Sequence, residues 1–233
     1  MNGERLSDRD LRELYREGYV SKYPSEDNGR LSQQLRFVNF NPEDRVVDFA
    51  CGNGLLLDLI HGRVKAYVGV DFSSEFIAEA EARQKAKGIS NGTFHCEDII
   101  RFCETHPGEF DLAFASDFSE HIYDEDFIRI FSMMRIALKP KGRLYVHTPN
   151  GAFFLERLKN SGVLKQLEEH VAVRDEHEMR RLLQESGYRI LNCHHLPHYR
   201  WILAALHPLS WIPGLKGLFS ARLLFECEAE VRP

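Results

Sequence analysis

Long apolar runs, a basic excess and paired cysteines are all missing from this 233-residue sequence. No stretch reaches the ~18 apolar residues that a membrane-spanning helix needs. The opening segment, MNGERLSDRDLREL, is charged and lacks an apolar h-region, so no signal peptide is expected. Thirty Lys and Arg stand against 35 Asp and Glu, a formal charge of −5. Proteins that live by neutralising phosphates usually carry a basic excess, so nucleic acid is not expected as a partner. The five cysteines are Cys51, Cys96, Cys103, Cys193 and Cys227. An odd number with no CxxC does not build a disulfide framework, and a reducing cytoplasm is the expected location. With 43% hydrophobic and 28% charged residues, the chain has the balance of one soluble globular domain with a small elaboration.

What the chain does have is an alternation of two periods. Short apolar runs at Arg45–Ala50, Ala66–Val70, Phe110–Ala115 and Arg143–His147 read as strands. Between them lie stretches of helical spacing, such as Ser74–Lys87 and Asp124–Leu138. Strands alternating with helices of this length predict βαβ units, a parallel sheet and helices on both faces. Ser73 or Ser74 suits an N-cap, and Lys139-Pro-Lys-Gly142 suits a helix stop before the strand at Arg143. Later, Asp175–Ser186 reads as a helix, Tyr188–His194 as a strand and Arg222–Glu230 as the last strand.

Two regions fall outside the alternation. Residues 1–43 are expected to form an N-terminal arm or lid, helical at 7–18 and 30–39, with Tyr19 and Tyr23 in the loop between. Residues 197–221, rich in Pro, Trp and Leu, interrupt the domain of residues 44–233. This insert is expected to cap the site, with peripheral membrane contact as the other use of its apolar side chains.

The chemistry is concentrated in Val46-Val-Asp-Phe-Ala-Cys-Gly-Asn-Gly54. A strand ends near an acidic residue and turns through small residues directly into a helix. Gly52 and Gly54 permit a tight turn and close approach of a ligand to the backbone. A dinucleotide fingerprint wants a third glycine where Leu57 stands, and a P-loop wants Gly-Lys-Ser/Thr, which is absent. The Asp48 charge opposes a pyrophosphate and suits a cationic amino group, so the expected ligand is a positively charged nucleoside.

VVDFACGNG resembles motif I of the class I S-adenosylmethionine-dependent methyltransferases, with Ala50 in place of the first glycine. Val68-Gly-Val-Asp71 resembles the family's acidic position for the ribose hydroxyls, and Phe94-His-Cys-Glu-Asp98-Ile99 its adenine position. Phe110–Ile122 and Leu138–Asn150 are similar to strands 4 and 5 of the ubiquinone-type branch, with Lys141 where glycine is commoner. Glu169-His170-Val fits the same branch. The resemblance implies a Rossmann-like, doubly wound seven-stranded sheet, mostly parallel with an antiparallel last strand. It also implies S-adenosylmethionine as cofactor. The residues it assigns to that cofactor are Asp48, Ala50, Cys51, Gly52, Gly54, Asp71, Phe72, Ser73, Asp98, Ile99, Ser116, Asp117 and Phe118.

The acceptor side is read from polar and aromatic residues expected near the carboxyl edge of the sheet. His121 and His170 are the candidate catalytic bases. Tyr19, Tyr23, His147, Asn150, His195, Tyr199 and Trp201 are candidate substrate contacts. No metal is expected: His194-His195-x-x-His198 lacks the i,i+4 helical spacing and the cysteine partners of zinc sites. The expected reaction is methyl transfer to a small-molecule acceptor, foremost to oxygen, with N- or C-methylation open. A nicotinamide-dependent oxidoreductase and a non-catalytic cofactor-binding protein stand as the alternatives from other classes.

Overall fold

The computed structural model describes residues 26, 27, 29–165, 167 and 170–230. The expected helix at 7–18, Tyr19, Tyr23 and Glu169 lie outside the described residues. Seven strands form one sheet: β1 (Arg45–Phe49), β2 (Ala66–Asp71), β3 (Gly92–Cys96), β4 (Phe110–Ser116), β5 (Leu138–Pro149), β6 (Tyr188–Leu196) and β7 (Arg222–Ala229). Their order is β3-β2-β1-β4-β5-β7-β6. Strands β1 to β5 pair in parallel, and β7 runs antiparallel between β5 and β6. This is the Rossmann-like sheet with an antiparallel last strand. The strand order reverses between β1 and β4, which opens a crevice at their carboxyl ends.

Period-two alternation sends side chains to two separate cores. Val47, Phe49, Ala113, Ala115, Leu144, Val146 and Phe225 face one side of the sheet. There they meet α4 (Ile99–Thr105), α5 (Asp124–Ala137) and α7 (Glu176–Glu185) through Phe102, Phe127, Phe131, Met134, Met179 and Leu182. Val46, Tyr67, Leu112, Phe114, Tyr145 and Leu224 face the other side, over Leu56, Leu57 and Ile60 of α2 (Leu55–Ile60). Helix α3 (Ser74–Lys87) starts at an N-cap Ser73 whose hydroxyl accepts from the Phe76 amide, and it buries Phe76, Ile77 and Ala80. Asp175 and Glu178 close a reciprocal capping box at α7.

Several local expectations needed correction. The expected helix at 30–39 is only α1 (Arg30–Gln34) followed by a 3-10 turn, Leu35–Phe37, because Leu31, Gln34 and Leu35 reach the core at once. The Lys139–Gly142 stop does end α5 at Ala137, yet strand β5 already begins at Leu138. Lys141 turns within it at φ 66°. Helix α6 (Phe154–Asn160) was not anticipated.

The insert at 197–221 folds into two short helices, α8 (Trp201–Ala204) and α9 (Lys216–Phe219), around a 3-10 turn at His207–Trp211. Its largest apolar side chains turn outward, with Trp201 79% and Trp211 78% exposed. Leu203, Leu206, Leu215, Leu218 and Phe219 of the insert are half-buried, and Phe219 packs on Phe154. No described helix is long and apolar enough to cross a membrane.

Gly69 of β2 shows how tightly the sheet packs behind the first loop. A Cβ there would lie 2.6 Å from the Phe94 ring and 2.8 Å from Cys51 Sγ. Gly69→Ala should therefore destabilise the protein by about 1–3 kcal/mol through overpacking, read as a lowered urea midpoint.

Candidate functional site

The loop 50–54 leaves β1 at the switch point and enters α2 through left-handed backbone at Ala50 (φ 56°), Gly52 (φ 52°) and Gly54 (φ 74°). Gly54 also admits the Phe94 ring, which would sit 2.9 Å from an added Cβ. The loop is held from the neighbouring strand. The Cys51 amide donates to Val70 O at 3.1 Å, and the Gly52 amide donates to Asp71 Oδ2 at 3.0 Å. The other Asp71 oxygen accepts from the Ser73 amide at 2.9 Å. Burial raises the Asp71 carboxyl above its ordinary value, while the Ser73 and Gly52 amides oppose that rise. Each oxygen keeps a second lone pair for a hydroxyl donor.

A cleft of about 570 Å³ opens beyond the ends of β2 and β3, lined by Phe72, Phe94, His95, Cys96, Glu97, Asp98 and Arg101. Phe72 is 41% exposed into solvent there. Asp98 caps α4, its Oδ1 accepting from the Ile100 amide at 3.0 Å, and Ile99 packs at the edge of the core. Phe72 and Asp98 line the cleft, and Asp71 and Ile99 adjoin them in the chain. The glycine loop adds close backbone approach. These residues suit an adenine nucleoside.

The structure places other expected contacts differently. Asp48 is buried, and its Oδ2 accepts from the Tyr67 hydroxyl at 2.7 Å. Alternation along β1 puts it on the same face as Val46, so its carboxyl group is turned toward Tyr67. Burial lifts this carboxyl to about 7, against the pull of the Tyr67 bond and with a smaller push from Asp71. The Cys51 thiol is buried and held protonated, first by burial and then by the charges of Asp71 and Asp48.

Ser116 is hydrogen-bonded to the Gln34 amide at 2.9 Å. Asp117, at φ 53°, is ion-paired with Arg30 at 2.9 Å and with Arg222. Its carboxylate thus clamps the segment before β1 and the start of β7 to the end of β4. Phe118 stacks on Phe131 at 6.2 Å. No pattern in the sequence pointed to Arg30, Gln34, Tyr67 or Arg222, because their partners are 19 or more residues away.

Among the expected substrate contacts, His147 is fully buried, with Nε2 3.1 Å from Arg222 Nε. Burial, reinforced by Arg30, drops its pKa to about 3, so it is a neutral structural acceptor. Asn150 is buried and donates to the Gly217 and Ser220 carbonyls, which anchors the insert. His195 Nε2 lies 2.7 Å from Glu176 Oε2, tying β6 to α7. Tyr199 packs its ring 4.3 Å from His198, and Trp201 faces solvent.

His121 and His170 do come together. Their rings lie 5.0 Å apart, edge to face, beside the buried Glu120. Burial, with His121 and Lys159 adding to it, lowers His170 to about 3. A base that weak does not remove a hydroxyl proton well near neutral pH, which corrects the general-base expectation for His170.

Comparisons with known proteins agree with this geometry. Residues 20–192, more than half of the chain, match the family described as "Methyltransferase domain". A ubiquinone biosynthesis O-methyltransferase of Neisseria meningitidis is 25% identical over 107 residues, 46% of this chain and 44% of that protein. The 23S rRNA (uracil(1939)-C(5))-methyltransferase of Photobacterium angustum is 37% identical over 65 residues, 28% of this chain and 30% of that protein. The matches thus span less than half the length of these curated relatives. A crystal structure of an S-adenosylmethionine-dependent methyltransferase from Mesorhizobium loti superposes with a TM-score of 0.63 at 18% identity, covering 90% of this chain and 99% of that one. The chain belongs to the methyltransferase-domain family. Its fold is shared with that S-adenosylmethionine-dependent methyltransferase from Mesorhizobium loti.

Two predictions follow from the loop and its strand. Ala50 and Lys141, the two residues standing where the resemblance wants glycine, both keep a left-handed backbone. Ala50→Gly should stabilise the fold by about 0.5–1 kcal/mol, as relief of left-handed strain exceeds the added unfolded-state entropy. Differential scanning calorimetry would read this as a higher Tm.

Asp48 keeps its proton in the folded protein up to about pH 7 and loses it near 3.8 when unfolded. Its contribution to stability is full below that lower value and lost as pH rises through about 7. Against Asp48→Asn, the native protein should therefore lose relative stability in urea titrations on going from about pH 4 to about pH 8.

Proposed function

We propose that the protein transfers the methyl group of S-adenosylmethionine to an oxygen of a small, hydrophobic acceptor in the cytoplasm. The observation that carries the reading is Asp71, whose carboxylate is fixed by the Gly52 and Ser73 amides between the glycine loop and the cleft. In this reading Asp71 takes the ribose hydroxyls, while Phe72 and Ile99 cover the adenine beside Asp98. The backbone of Ala50–Gly54 borders the methionine part. When bound, S-adenosylmethionine supplies an electrophilic methyl carbon on a sulfonium.

The chain's own task is to hold an acceptor oxygen in line with that carbon and keep water away. It should not hold the sulfonium too tightly, because that charge disappears in the transition state. Glu120 and His121, on the turn that follows β4, and His170 beside them are assigned to the acceptor's side. Oxygen is favoured by the likeness to ubiquinone biosynthesis O-methyltransferases. A hydrophobic acceptor is favoured by the outward Trp201 and Trp211 of the insert, which suit a lipid-rich surroundings. The net charge of −5 weighs against RNA as acceptor, although one relative acts on ribosomal RNA. Cytoplasmic location is supported by five free cysteines.

Calorimetric titration with S-adenosylmethionine, S-adenosylhomocysteine and NADH tests the cofactor part. Saturable binding of the two sulfur nucleosides and none of NADH is expected. Asp71→Ala should weaken S-adenosylhomocysteine roughly a hundredfold by removing two charge-assisted hydrogen bonds. Unchanged affinity in a folded Asp71→Ala protein would overturn the ribose assignment. Acceptor oxygen is then tested by transfer of a labelled methyl group to hydrophobic phenols and carboxylic acids.

A further inference from the structure

We propose that Glu120, His121 and His170 form a binding site for one divalent transition-metal cation. Glu120 and His121 lie on the 3-10 turn Ser119–His121 just past β4, and His170 lies on the loop before α7. One carboxylate oxygen and one nitrogen from each imidazole sit within 4.8 Å of one another. A tetrahedral centre with ligand distances of about 2.0–2.2 Å needs its donors about 3.3 Å apart. Closing from 4.8 Å to that spacing is the side-chain movement that binding the ion requires.

The backbone around them is already fixed. The Ala172 amide donates to Glu120 O at 3.1 Å, which ties the His170 loop to the turn. Arg174 donates to the Ser119 carbonyl at 2.6 Å and the Ile122 carbonyl at 2.7 Å from the same side. The Glu120 carboxylate is oriented by Thr148 Oγ1 at 3.2 Å, itself bonded to Ser119 Oγ at 2.9 Å. Such outer hydrogen bonds are the usual support of metal ligands. His170 Nδ1 is buried with no hydrogen-bond partner among the described residues. The nearby cations are already matched, Arg174 by Asp124 at 2.9 Å and Lys159 by Glu156 at 2.6 Å.

A second group of ligand types, Glu176, Cys193 and His195, carries less. There the carboxylate is satisfied on both oxygens, by Arg180 at 2.8 Å and by His195 at 2.7 Å.

Two imidazoles and one carboxylate select a borderline cation such as Zn²⁺, Mn²⁺, Fe²⁺ or Co²⁺ over Mg²⁺ and Ca²⁺, which favour all-oxygen shells. Three protein ligands also leave coordination positions open, the pattern of catalytic rather than structural sites. The role of the ion, unlike its binding, rests on the O-methylation reading. Bound to the ion, the acceptor hydroxyl releases its proton to solvent water at lower pH. Its oxygen then forms the bond to the methyl carbon as the C–S bond breaks and its electron pair stays on sulfur.

The test uses the full chain, stripped with a chelator and titrated separately with Co²⁺, Zn²⁺ and Mg²⁺ by calorimetry and visible absorption. One equivalent of Co²⁺ should bind with imidazole-type d–d bands and be displaced by Zn²⁺, while Mg²⁺ binds at least tenfold more weakly. His170→Ala and Glu120→Gln should each weaken Co²⁺ by tenfold or more and keep S-adenosylhomocysteine binding. His121→Ala, in a half-buried position, gives the same readout if either buried variant fails to fold. Absence of saturable Co²⁺ binding, or binding unchanged in the folded variants, would overturn the site. Methyl transfer is not read in this titration, so failure of the acceptor assignment and failure of the metal site are separate results.

Discussion

The Asp71 carboxylate is the point from which the nucleoside side of the molecule is organised. It accepts one amide from the loop after β1 and one from the turn into α3, so two βα connections share a single anchor. Both loops lie over the ends of adjacent parallel strands, where the Cys51 amide to Val70 O is the ladder bond that continues beyond β1. A buried carboxylate accepting backbone amides is a strong, short-range constraint. It ties the left-handed path through Ala50, Gly52 and Gly54 to the end of β2.

A second buried carboxylate organises the opposite side of the switch point. Asp117 holds Arg30 from the segment before β1 and Arg222 from the start of β7. A charge in that position is costly unless matched, and two guanidiniums match it. Three distant parts of the chain therefore meet at the end of β4, and the antiparallel last strand is secured at the rim. The neutral His147 completes the cluster by offering Nε2 to Arg222. Beyond this cluster lie the Glu120–His121–His170 group and the exposed tryptophans of the insert.

Much of the sheet was legible from the residues. Arg45–Phe49 and Ala66–Asp71 carry their apolar runs in sequence, and Ser73 announces the helix that follows. The loop glycines and Asp71 were legible for the same reason, since local backbone demands choose residue types. Asp48 was legible as an acidic strand-end residue but not as a partner of Tyr67, because side-chain direction depends on which face the strand presents. Asp117 was read as lining the cofactor, but two arginines remote in sequence occupy its carboxylate. His147 and Asn150 resembled pocket residues in composition, and burial turned both into structural supports.

By itself the sequence determined the alternation of strands and helices, the glycine turn and the acidic ends of β1 and β2. These are consequences of period, steric freedom at positive φ and local capping, all expressed within a few residues. Only the tertiary structure decided which carboxylates face a ligand and which are neutralised inside. It also brought His170 beside Glu120 and His121, and turned the insert's tryptophans outward. Those outcomes depend on contacts between segments far apart in the chain, and no local pattern encodes the distance that closes between them.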